Sequence, residues 1–288
     1  MNDPSDSPDR IPRWLIPAAA VACLVYLAAE LFLVGGLGFP LDDSWIHLQF
    51  ARNLAAGQGL SYNPGELVTG STAPLWTALL APLFLLPGSV VAWTKLLGIA
   101  FHLAGVAVAW RLGRELGLGR GLAGLAAILM LTTSWLVWSA LSGMEIPLFI
   151  FLSLSGILLH LREREQPERP PLAVPILAVA ALARPEGLLL VVLALFDRLL
   201  VFEREEDGPL LWRRPALRPV VVGALLAILT LAGPVLFYRW AGGSWLPTTF
   251  GAKGGDFRRL VPNLSYVYTV IGVWFRAQPF LSLLAGAG

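Results

Sequence analysis

The chain has 288 residues, of which 56% are hydrophobic and 14% charged, with a net charge of +2 and a mean hydropathy of +0.69. This composition excludes an ordinary soluble domain and indicates an integral membrane protein built of helices. The charges are scattered and form no basic patch with interleaved aromatic residues, so we expect no nucleic-acid partner. The single cysteine, Cys23, lies inside an apolar segment, which excludes an internal disulfide and a cysteine-based metal site.

The first apolar segment covers residues 14–37 and follows a short polar tail, residues 1–13, that we predict to be cytoplasmic. Arg10 and Arg13 precede it, as in a signal peptide. No small-residue cleavage pattern follows, however, which predicts an uncleaved first transmembrane helix. Its one acid, Glu30, stands near the outer end, and we expect its carboxylate to reach toward the interface.

A polar, glycine-rich stretch comes next, from Phe39 to Trp76, and it contains the adjacent carboxylates Asp42 and Asp43. Charged groups so close to the hydrocarbon are costly, so the pair indicates a function. Helix capping is the alternative, although one capping residue would suffice. Residues 44–56 have the pattern of an amphipathic helix. The apolar stripe of this helix consists of Ile46, Phe50 and Leu54.

The later apolar segments are 75–87, 90–110, 121–140, 147–161, 171–183, 187–202 and 219–238, and one more that begins near Val267. The first of them is broken by prolines and reaches only about 20 Å, less than the ~30 Å hydrocarbon core. We therefore predict that it lies in the outer interface, within a large first external loop at 38–89. With the first helix, the segments up to 219–238 then give seven spans and an all-α polytopic fold.

The distribution of positive charge supports this arrangement, because cytoplasmic loops are rich in Lys and Arg. The connectors predicted to be cytoplasmic contain Arg111, Arg114, Arg120, Arg162, Arg164, Arg169, Arg204, Arg213, Arg214 and Arg218. The connectors SGMEIP, ARPEG and GGSWLPTTFGAKGG fall on the outer side with Asp42 and Asp43, the last of them within a second external loop at 242–262. The sequence thus predicts one site, on the extracytoplasmic face, where the outer connectors meet.

The run DDSWIHLQFARNLAAGQGLSYNPGE, followed by a small-residue turn and PLW, resembles the first external loop of GT-C glycosyltransferases. The most similar subgroup is the mycobacterial-type terminal arabinofuranosyltransferases, with a D-D-aromatic-I opening and a G-x-G-L-x-x-N-P-G-E run. The short pieces SGMEIPL, ARPEG and PTTFGAKGG agree with it. The resemblance therefore touches most of the chain, and its specific part is the first loop.

This resemblance implies a multi-pass enzyme of the cell membrane, active in cell-envelope biogenesis. It would move a sugar, with inversion, from a polyprenyl-phosphate donor to an extracytoplasmic glycan, lipid or protein acceptor. The reaction needs a base for the acceptor hydroxyl, and a carboxylate at an apolar boundary can act as one because desolvation raises its proton affinity. The first acid of the family's pair aligns with Asp42, which implies that Asp42 is the base. Asp43 would orient the acceptor, share a proton or help to hold a metal ion.

Glu145, in SGMEIP, is the second acidic candidate on the predicted outer side. Pro147 behind it suggests the first turn of a helix, where the helix dipole favours a carboxylate without any catalytic role. The alternative is a role in acceptor or metal binding, and the resemblance implies a second acid at this loop. Met144 and Ile146 depart from the Leu and Thr that are usual in the subgroup.

Three further residues are acceptor-site candidates. His47 lies one helical turn after Asp43 and either pairs with it or is a plain interfacial histidine. Arg52 is carried by the same predicted helix. Asn63 opens the turn signature NPGE, which needs no functional explanation by itself.

The departing polyprenyl phosphate leaves negative charge beside hydrocarbon, which is costly without a cation. Arg184 ends the segment 171–183, which is too short to cross the ~30 Å core, so the arginine could lie in a cavity below the outer surface. Glu186 could orient it through a salt bridge. Lys253, in GAKGG, could close over the phosphate. The structural alternatives are a snorkelling arginine and a solvated lysine.

Two other classes of function are compatible with such a chain. A transporter or lipid-carrier flippase should have charges at mid-depth, broken helices and an internal repeat. A non-catalytic assembly subunit should tolerate replacement of the acid pair. We predict no cofactor apart from a divalent cation, whose requirement stays open because the sequence contains no compact ligand motif. The chain stops at LLAGAG inside an apolar stretch, so we expect further spans beyond Gly288 and an external carbohydrate-binding domain.

Overall fold

The computed structural model describes residues 12–165, 171–204, 210–213, 217–245, 247, 268–269 and 272. The main helices in this part are α1 (Leu15–Val34), α2 (Asp42–Ala55), α3 (Pro74–Leu80), α4 (Val90–Glu115), α5 (Arg120–Thr132), α6 (Ser134–Leu141), α7 (Ile146–Glu165), α8 (Ala173–Ala183), α9 (Gly187–Leu199) and α10 (Leu217–Gly242). A 3₁₀ segment, Ala81–Leu85, continues α3. Two strands, β1 (Val201–Arg204) and β2 (Leu210–Arg213), stand between α9 and α10.

Four of these helices, α1, α4, α7 and α10, are long and apolar enough to cross a membrane. The pair α5–α6 would supply a fifth span if it crosses as one unit, bent by 52° at Thr133. Leu229 of α10 is 72% exposed and Phe32 of α1 is 88% exposed, so large apolar side chains face outward as lipid contact requires. The prediction of an integral membrane helical protein agrees with this set of helices.

Among the described residues, fewer helices are long enough to cross a membrane than the seven spans that were predicted. Helix α8 has 11 residues and α9 has 13. At about 1.5 Å per residue each covers at most ~20 Å, whereas the hydrocarbon core is ~30 Å thick. The two helices pack on each other and on α7 and α10, as a short helical hairpin within the bundle.

The all-α prediction is confirmed for the described residues, apart from a short stretch after α9. The apolar segment 187–202 leaves the helix at Leu199, and its last residues enter the antiparallel hairpin of β1 and β2. In this hairpin Phe202 lies opposite Trp212. The hairpin follows from the local sequence, because two short runs with Val, Phe and Trp flank a polar connector, which is the pattern of paired strands.

The predicted interfacial segment 75–87 forms α3 and its 3₁₀ extension, which together are too short for a span. Pro74 occupies the start of α3, where a missing N–H costs nothing. Trp76 and Leu80 are completely buried and belong to one core with Leu48 and Ala51 of α2. The segment is therefore a short, well-packed partner of α2, and its place in the outer interface stays a prediction.

Helix α2 begins two residues before the predicted start and ends one residue before the predicted end. Its buried side differs from the expected stripe, because Ile46 and Leu54 are only half-buried. The buried residues are Ser44, His47, Leu48, Phe50, Ala51 and Asn53. Half of this set is polar, so α2 turns hydrogen-bonding groups toward the bundle as well as apolar ones.

The bundle has two chemically distinct ends, and α7 joins them over about 30 Å. At its C-terminal end, Arg162 Nε lies 2.7 Å from Glu115 Oε2 of α4, and Glu163 pairs with Arg198 of α9. At its N-terminal end, Glu145 contacts residues of α2 and of the α8–α9 turn. The C-terminal ends of α4 and α7 therefore lie together, far from SGMEIP and ARPEG. The membrane side that each end faces stays a prediction.

Candidate functional site

Four of the predicted site residues meet at the N-terminal end of α7. His47 Nε2 lies 3.4 Å from Glu145 Oε2, and Arg184 Nη1 donates to Glu145 Oε1 at 2.8 Å. The second terminal nitrogen of the same guanidinium donates to Glu186 Oε1 at 3.0 Å. Residues separated by 98 and by 39 positions along the chain thus form one line of contacts, which we call the Glu145 cluster.

Each member of the Glu145 cluster is held by a different element. His47 lies on the buried side of α2, whereas Glu145 stands immediately before the first residue of α7. Arg184 and Glu186 occupy the tight turn between α8 and α9, where the Gly187 N–H donates to the Arg184 carbonyl at 2.9 Å. The acids thus precede helices, where the positive end of the helix dipole favours negative charge.

Glu145 is the most buried carboxylate of this cluster, with 5% of its surface exposed. Burial alone would raise its pKa, but the hydrogen bond and charge of His47, with the charge of Arg184, outweigh burial and hold the pKa of Glu145 below its ordinary value. Glu186 shares the guanidinium, and its pKa is also lowered by Arg184 despite the opposing effect of burial. Both carboxylates are therefore ionised at neutral pH.

His47 Nε2 faces the Glu145 carboxylate, a partner that the helical spacing with Asp43 did not indicate. Its other ring nitrogen, Nδ1, is buried and has no hydrogen-bond partner within the described structure. A buried imidazole nitrogen without a partner can form a hydrogen bond with a group that enters the site. His47 is therefore a polar group with unused hydrogen-bonding capacity beside a buried acid.

The acid pair Asp42–Asp43 forms the first turn of α2. Leu41 occupies the N-cap position, so neither acid caps the helix as the sequence alternative proposed, although the Asp43 N–H donates to Asp42 Oδ1 at 2.9 Å. Asp42 is exposed and Asp43 half-buried, so the surrounding protein does not desolvate Asp42. The next residue, Ser44, donates from Oγ to the Ser142 carbonyl at 2.6 Å, which ties this turn to the segment that leads into Glu145.

The remaining candidates are not drawn into the Glu145 cluster by the contacts of the described residues. Arg52 is exposed in the last turn of α2, and Asn63 Nδ2 donates to Glu66 Oε2 at 3.3 Å within its own turn. That contact favours a purely structural role for the NPGE turn over a role in acceptor binding. Lys253 lies outside the described residues, as does most of the predicted external loop 242–262.

A second buried charge pair, missed by sequence reasoning, lies near the same end of the bundle. Lys95 Nζ donates to both carboxylate oxygens of Glu30, at 2.8 and 3.0 Å, and to the Leu141 carbonyl at 2.7 Å. Glu30 therefore turns inward and does not reach toward the interface as predicted. A cavity of about 440 Å³ adjoins the pair, lined mainly by apolar surface that includes Tyr26, Phe39 and Trp138. The sequence does contain one indication of this pair, because Glu30 is the one acid of the apolar segment 14–37 and Lys95 is the one lysine of the apolar segment 90–110.

Among the described side chains, no group of three or more His, Cys, Asp or Glu residues could hold a metal ion. The Glu145 cluster instead combines two carboxylates, one guanidinium and one imidazole. Such a set can orient a polyhydroxyl compound, because carboxylates accept hydrogen bonds from hydroxyl groups and the arginine donates them. Comparisons of the chain with protein-family models, with curated proteins and with solved structures found no match.

Proposed function

We propose that the chain is a membrane glycosyltransferase that uses a polyprenyl-phosphate-linked sugar and an extracytoplasmic acceptor. The observation that carries this proposal is the Glu145 cluster beside the Asp42–Asp43 turn. It gathers acids, a base and a cation from three distant segments at one end of an apolar bundle. The resemblance of the first loop to GT-C enzymes supports it independently, since that resemblance lies in residues 42–66.

In the proposed reaction the acceptor hydroxyl oxygen attacks the anomeric carbon of the donor, and its proton passes to the carboxylate of Asp42. The bond between the anomeric carbon and the phosphate oxygen breaks, and polyprenyl phosphate leaves with the electron pair. Asp42 is open to an incoming hydroxyl, as a base must be. Asp43 would orient the acceptor.

The other residues of the site take supporting roles in this proposal. Glu145 and His47 would bind acceptor hydroxyl groups, because both are buried polar groups that are fixed in place. Arg184 already lies between two carboxylates, so its charge is compensated before a phosphate arrives. It would therefore shape the acceptor site more than it neutralises the leaving group.

The test is sugar transfer by the purified chain in lipid nanodiscs, with a panel of polyprenyl-phosphate sugars and oligosaccharide acceptors. Asp42→Asn should lower turnover by about 10²–10⁴-fold, as loss of a general base does, with donor binding nearly unchanged. Glu66→Gln is the matched control, because it removes an exposed carboxylate of the same loop. Wild-type turnover in Asp42→Asn, or no transfer from any donor in the panel, would contradict the proposal.

A second candidate function, transport or flipping of a lipid carrier, is favoured by one observation. The α5–α6 pair is bent by 52°, and broken helices are typical of transporters. The buried pair Lys95–Glu30 is less supportive, because it lies near the N-terminal end of α4 rather than at mid-depth. Proteoliposomes that move a fluorescent polyprenyl phosphate between leaflets without consuming a sugar would favour this function over transfer.

A further inference from the structure

Three consecutive carbonyl groups just before Glu145 each accept a hydrogen bond from a side chain of a different helix. Lys95 Nζ of α4 donates to Leu141, Ser44 Oγ of α2 donates to Ser142, and Trp76 Nε1 of α3 donates to Gly143. The donor–acceptor distances are 2.7, 2.6 and 2.9 Å. We call residues 141–145 the acidic connector.

All three donors are deeply buried, with exposures of 2% for Lys95 and 0% for Ser44 and Trp76. Water therefore cannot replace them readily, and a lost donor would leave a buried carbonyl without a partner. The acidic connector runs from the last residue of α6 to the residue before α7, and the carbonyls of Leu141, Ser142 and Gly143 accept no backbone hydrogen bond in the described structure. Side chains from outside do so instead.

Packing at Gly143 restricts the acidic connector further. Its φ of +80° is a left-handed conformation that favours glycine, and a Cβ added there would come within 2.7–2.9 Å of the Phe39 ring. The chain can therefore pass beneath Phe39 only with glycine at this position. Phe39 also lies under the Lys95 ammonium, with Nζ 5.2 Å from the ring centroid, so the same aromatic side chain touches two parts of the arrangement.

The three protons of the Lys95 ammonium are all used, two by Glu30 and one by the Leu141 carbonyl. None is left for a phosphate or another anion, and the positive charge is balanced by Glu30. This saturation indicates a fixed support rather than a ligand site. Ser44 and Trp76 are saturated in the same sense, because each commits its one donor to the acidic connector.

We propose that Ser44, Trp76 and Lys95 are positioning residues, which hold the acidic connector so that the Glu145 carboxylate faces His47 and Arg184. The consequence for sugar transfer rests on the proposed function, but the mechanical role does not. It explains why α2 and α3 belong to the site: α2 supplies both a member of the Glu145 cluster and one of its supports.

The experiment measures local opening with a cysteine in the acidic connector. Met144 is buried, and Met144→Cys in a Cys23→Ala background gives a single reporter. In the protein in nanodiscs, Trp76→Phe and Ser44→Ala should each increase the maleimide labelling rate of this cysteine about tenfold, the effect of one lost net hydrogen bond. Trp93→Phe is the matched control, because its Nε1 donates at the same 2.9 Å to the Pro87 carbonyl, which does not belong to the acidic connector. Ser153→Ala is the matched control for Ser44→Ala, because it removes a buried hydroxyl that has no hydrogen-bond partner in the described structure.

A general loss of stability is separated from local release by the native Cys23, which is buried in α1. In the chain with Met144 intact, labelling of Cys23 should be the same in Trp76→Phe and Ser44→Ala as in the parent. Lys95 is tested as Lys95→Met with Glu30→Met, since the double change leaves no orphaned charge. If this double change releases the acidic connector locally, the cysteine at position 144 should again be labelled faster than in the parent.

Equal labelling increases in the targets and the matched controls, or equal increases at positions 23 and 144, would overturn the positioning role. If the protein transfers sugar, Trp76→Phe should also shift the acidic limb of its pH–rate profile upward, and Trp93→Phe should not. A selective labelling increase without any sugar transfer would leave the positioning role in place and remove the proposed function. Sugar transfer together with unselective labelling would leave the proposed function in place and remove the positioning role.

Discussion

At the residue scale, burial and charge pairing shift the pKa of Glu145 in opposite directions. A carboxylate that is 5% exposed would ordinarily bind a proton more tightly than one in water. Arg184 and His47 reverse this tendency, so that the pKa of Glu145 falls below the ordinary 4.5. The carboxylate is therefore kept ionised by its partners, and its contribution to stability depends on that charge.

The stability contributed by Glu145 should be lost in acid. A carboxyl group whose pKa is lowered by folding stabilises the protein above its ordinary pKa, here 4.5, and loses that effect as pH falls through the lower folded value. Glu145→Gln should thus reduce the free energy of unfolding by about 1–3 kcal/mol at pH 7 and by progressively less below pH ~4.5. Denaturant unfolding of both proteins in the same detergent, from pH 3 to 8, measures this difference.

Glu66→Gln serves as the control for that pH series, because Glu66 is exposed in the first loop. Its stability should stay within about 0.5 kcal/mol of the wild type at every pH. A Glu145→Gln difference that stays constant down to pH 3, or that increases in acid, would contradict the charge pairing described for Glu145.

Sequence reasoning found the members of the Glu145 cluster but not their supports. His47, Glu145, Arg184 and Glu186 stand out because each interrupts an apolar pattern at a predicted connector. Trp76 and Lys95 do not, since a tryptophan near a boundary has many structural explanations, and the partner of Lys95 lies 65 positions away. Hydrogen bonds to backbone carbonyls leave no trace in residue types, so tertiary structure was needed to find the supports.

At the element scale, the close approach of α4 and α6 brings Lys95 to the acidic connector. Gly98 lies three residues after Lys95, on the same side of α4. A Cβ built on Gly98 would collide with the Ala140 carbonyl oxygen of α6, so the two helices touch through backbone at this point. The contact places the last turn of α6, and the Leu141 carbonyl with it, within reach of the ammonium.

Gly98→Ala should therefore force α4 and α6 apart and destabilise the protein by about 1–3 kcal/mol, as overpacking of a fixed core does. Gly121→Ala in α5 is the matched control, because a Cβ there would meet nothing within 4 Å. That change should be neutral or stabilising by up to ~1 kcal/mol, given the helix propensity of alanine. Thermal unfolding followed by circular dichroism compares the two, and equal melting temperatures would refute the tight α4–α6 contact.

Some helix boundaries were predicted to the residue, because polar residues or prolines interrupt the apolar pattern there: α4 begins at Val90, α8 ends at Ala183 and α9 begins at Gly187. Others were not, since α4 continues five residues past its predicted end, to Glu115. The ARPEG turn interrupts the apolar pattern after Ala183 and leaves α8 and α9 short, and residue counts alone cannot decide whether such a pair crosses the membrane. The β1–β2 hairpin was missed because Val201 and Phe202 extend an apolar run without a break. A run of that kind is compatible with helix and strand alike.

At the scale of the whole molecule, the two ends of the bundle differ in chemistry. The end with the Glu145 cluster carries acids, while the other end contains ion pairs of Arg162, Arg164 and Arg198. Because cytoplasmic loops are enriched in arginine and lysine, this asymmetry predicts that the second end is cytoplasmic. The Glu145 cluster would then face outward, where a lipid-linked donor and an extracellular acceptor could meet.

Single cysteines on either side of α4 test this orientation, in a Cys23→Ala background that removes the native thiol. Asn63 and Gly119 are both exposed, so Asn63→Cys and Gly119→Cys should be accessible to reagent. In intact cells a membrane-impermeant maleimide should label the cysteine at 63 and not that at 119, and permeabilisation should expose the latter. The reason is that α4, with 26 residues, is the one long apolar helix between these two positions. Labelling of both cysteines in intact cells would mean that α3 and its 3₁₀ extension cross the membrane as well. Labelling of the cysteine at 119 alone would mean that the protein has the opposite orientation, with the Glu145 cluster on the cytoplasmic side.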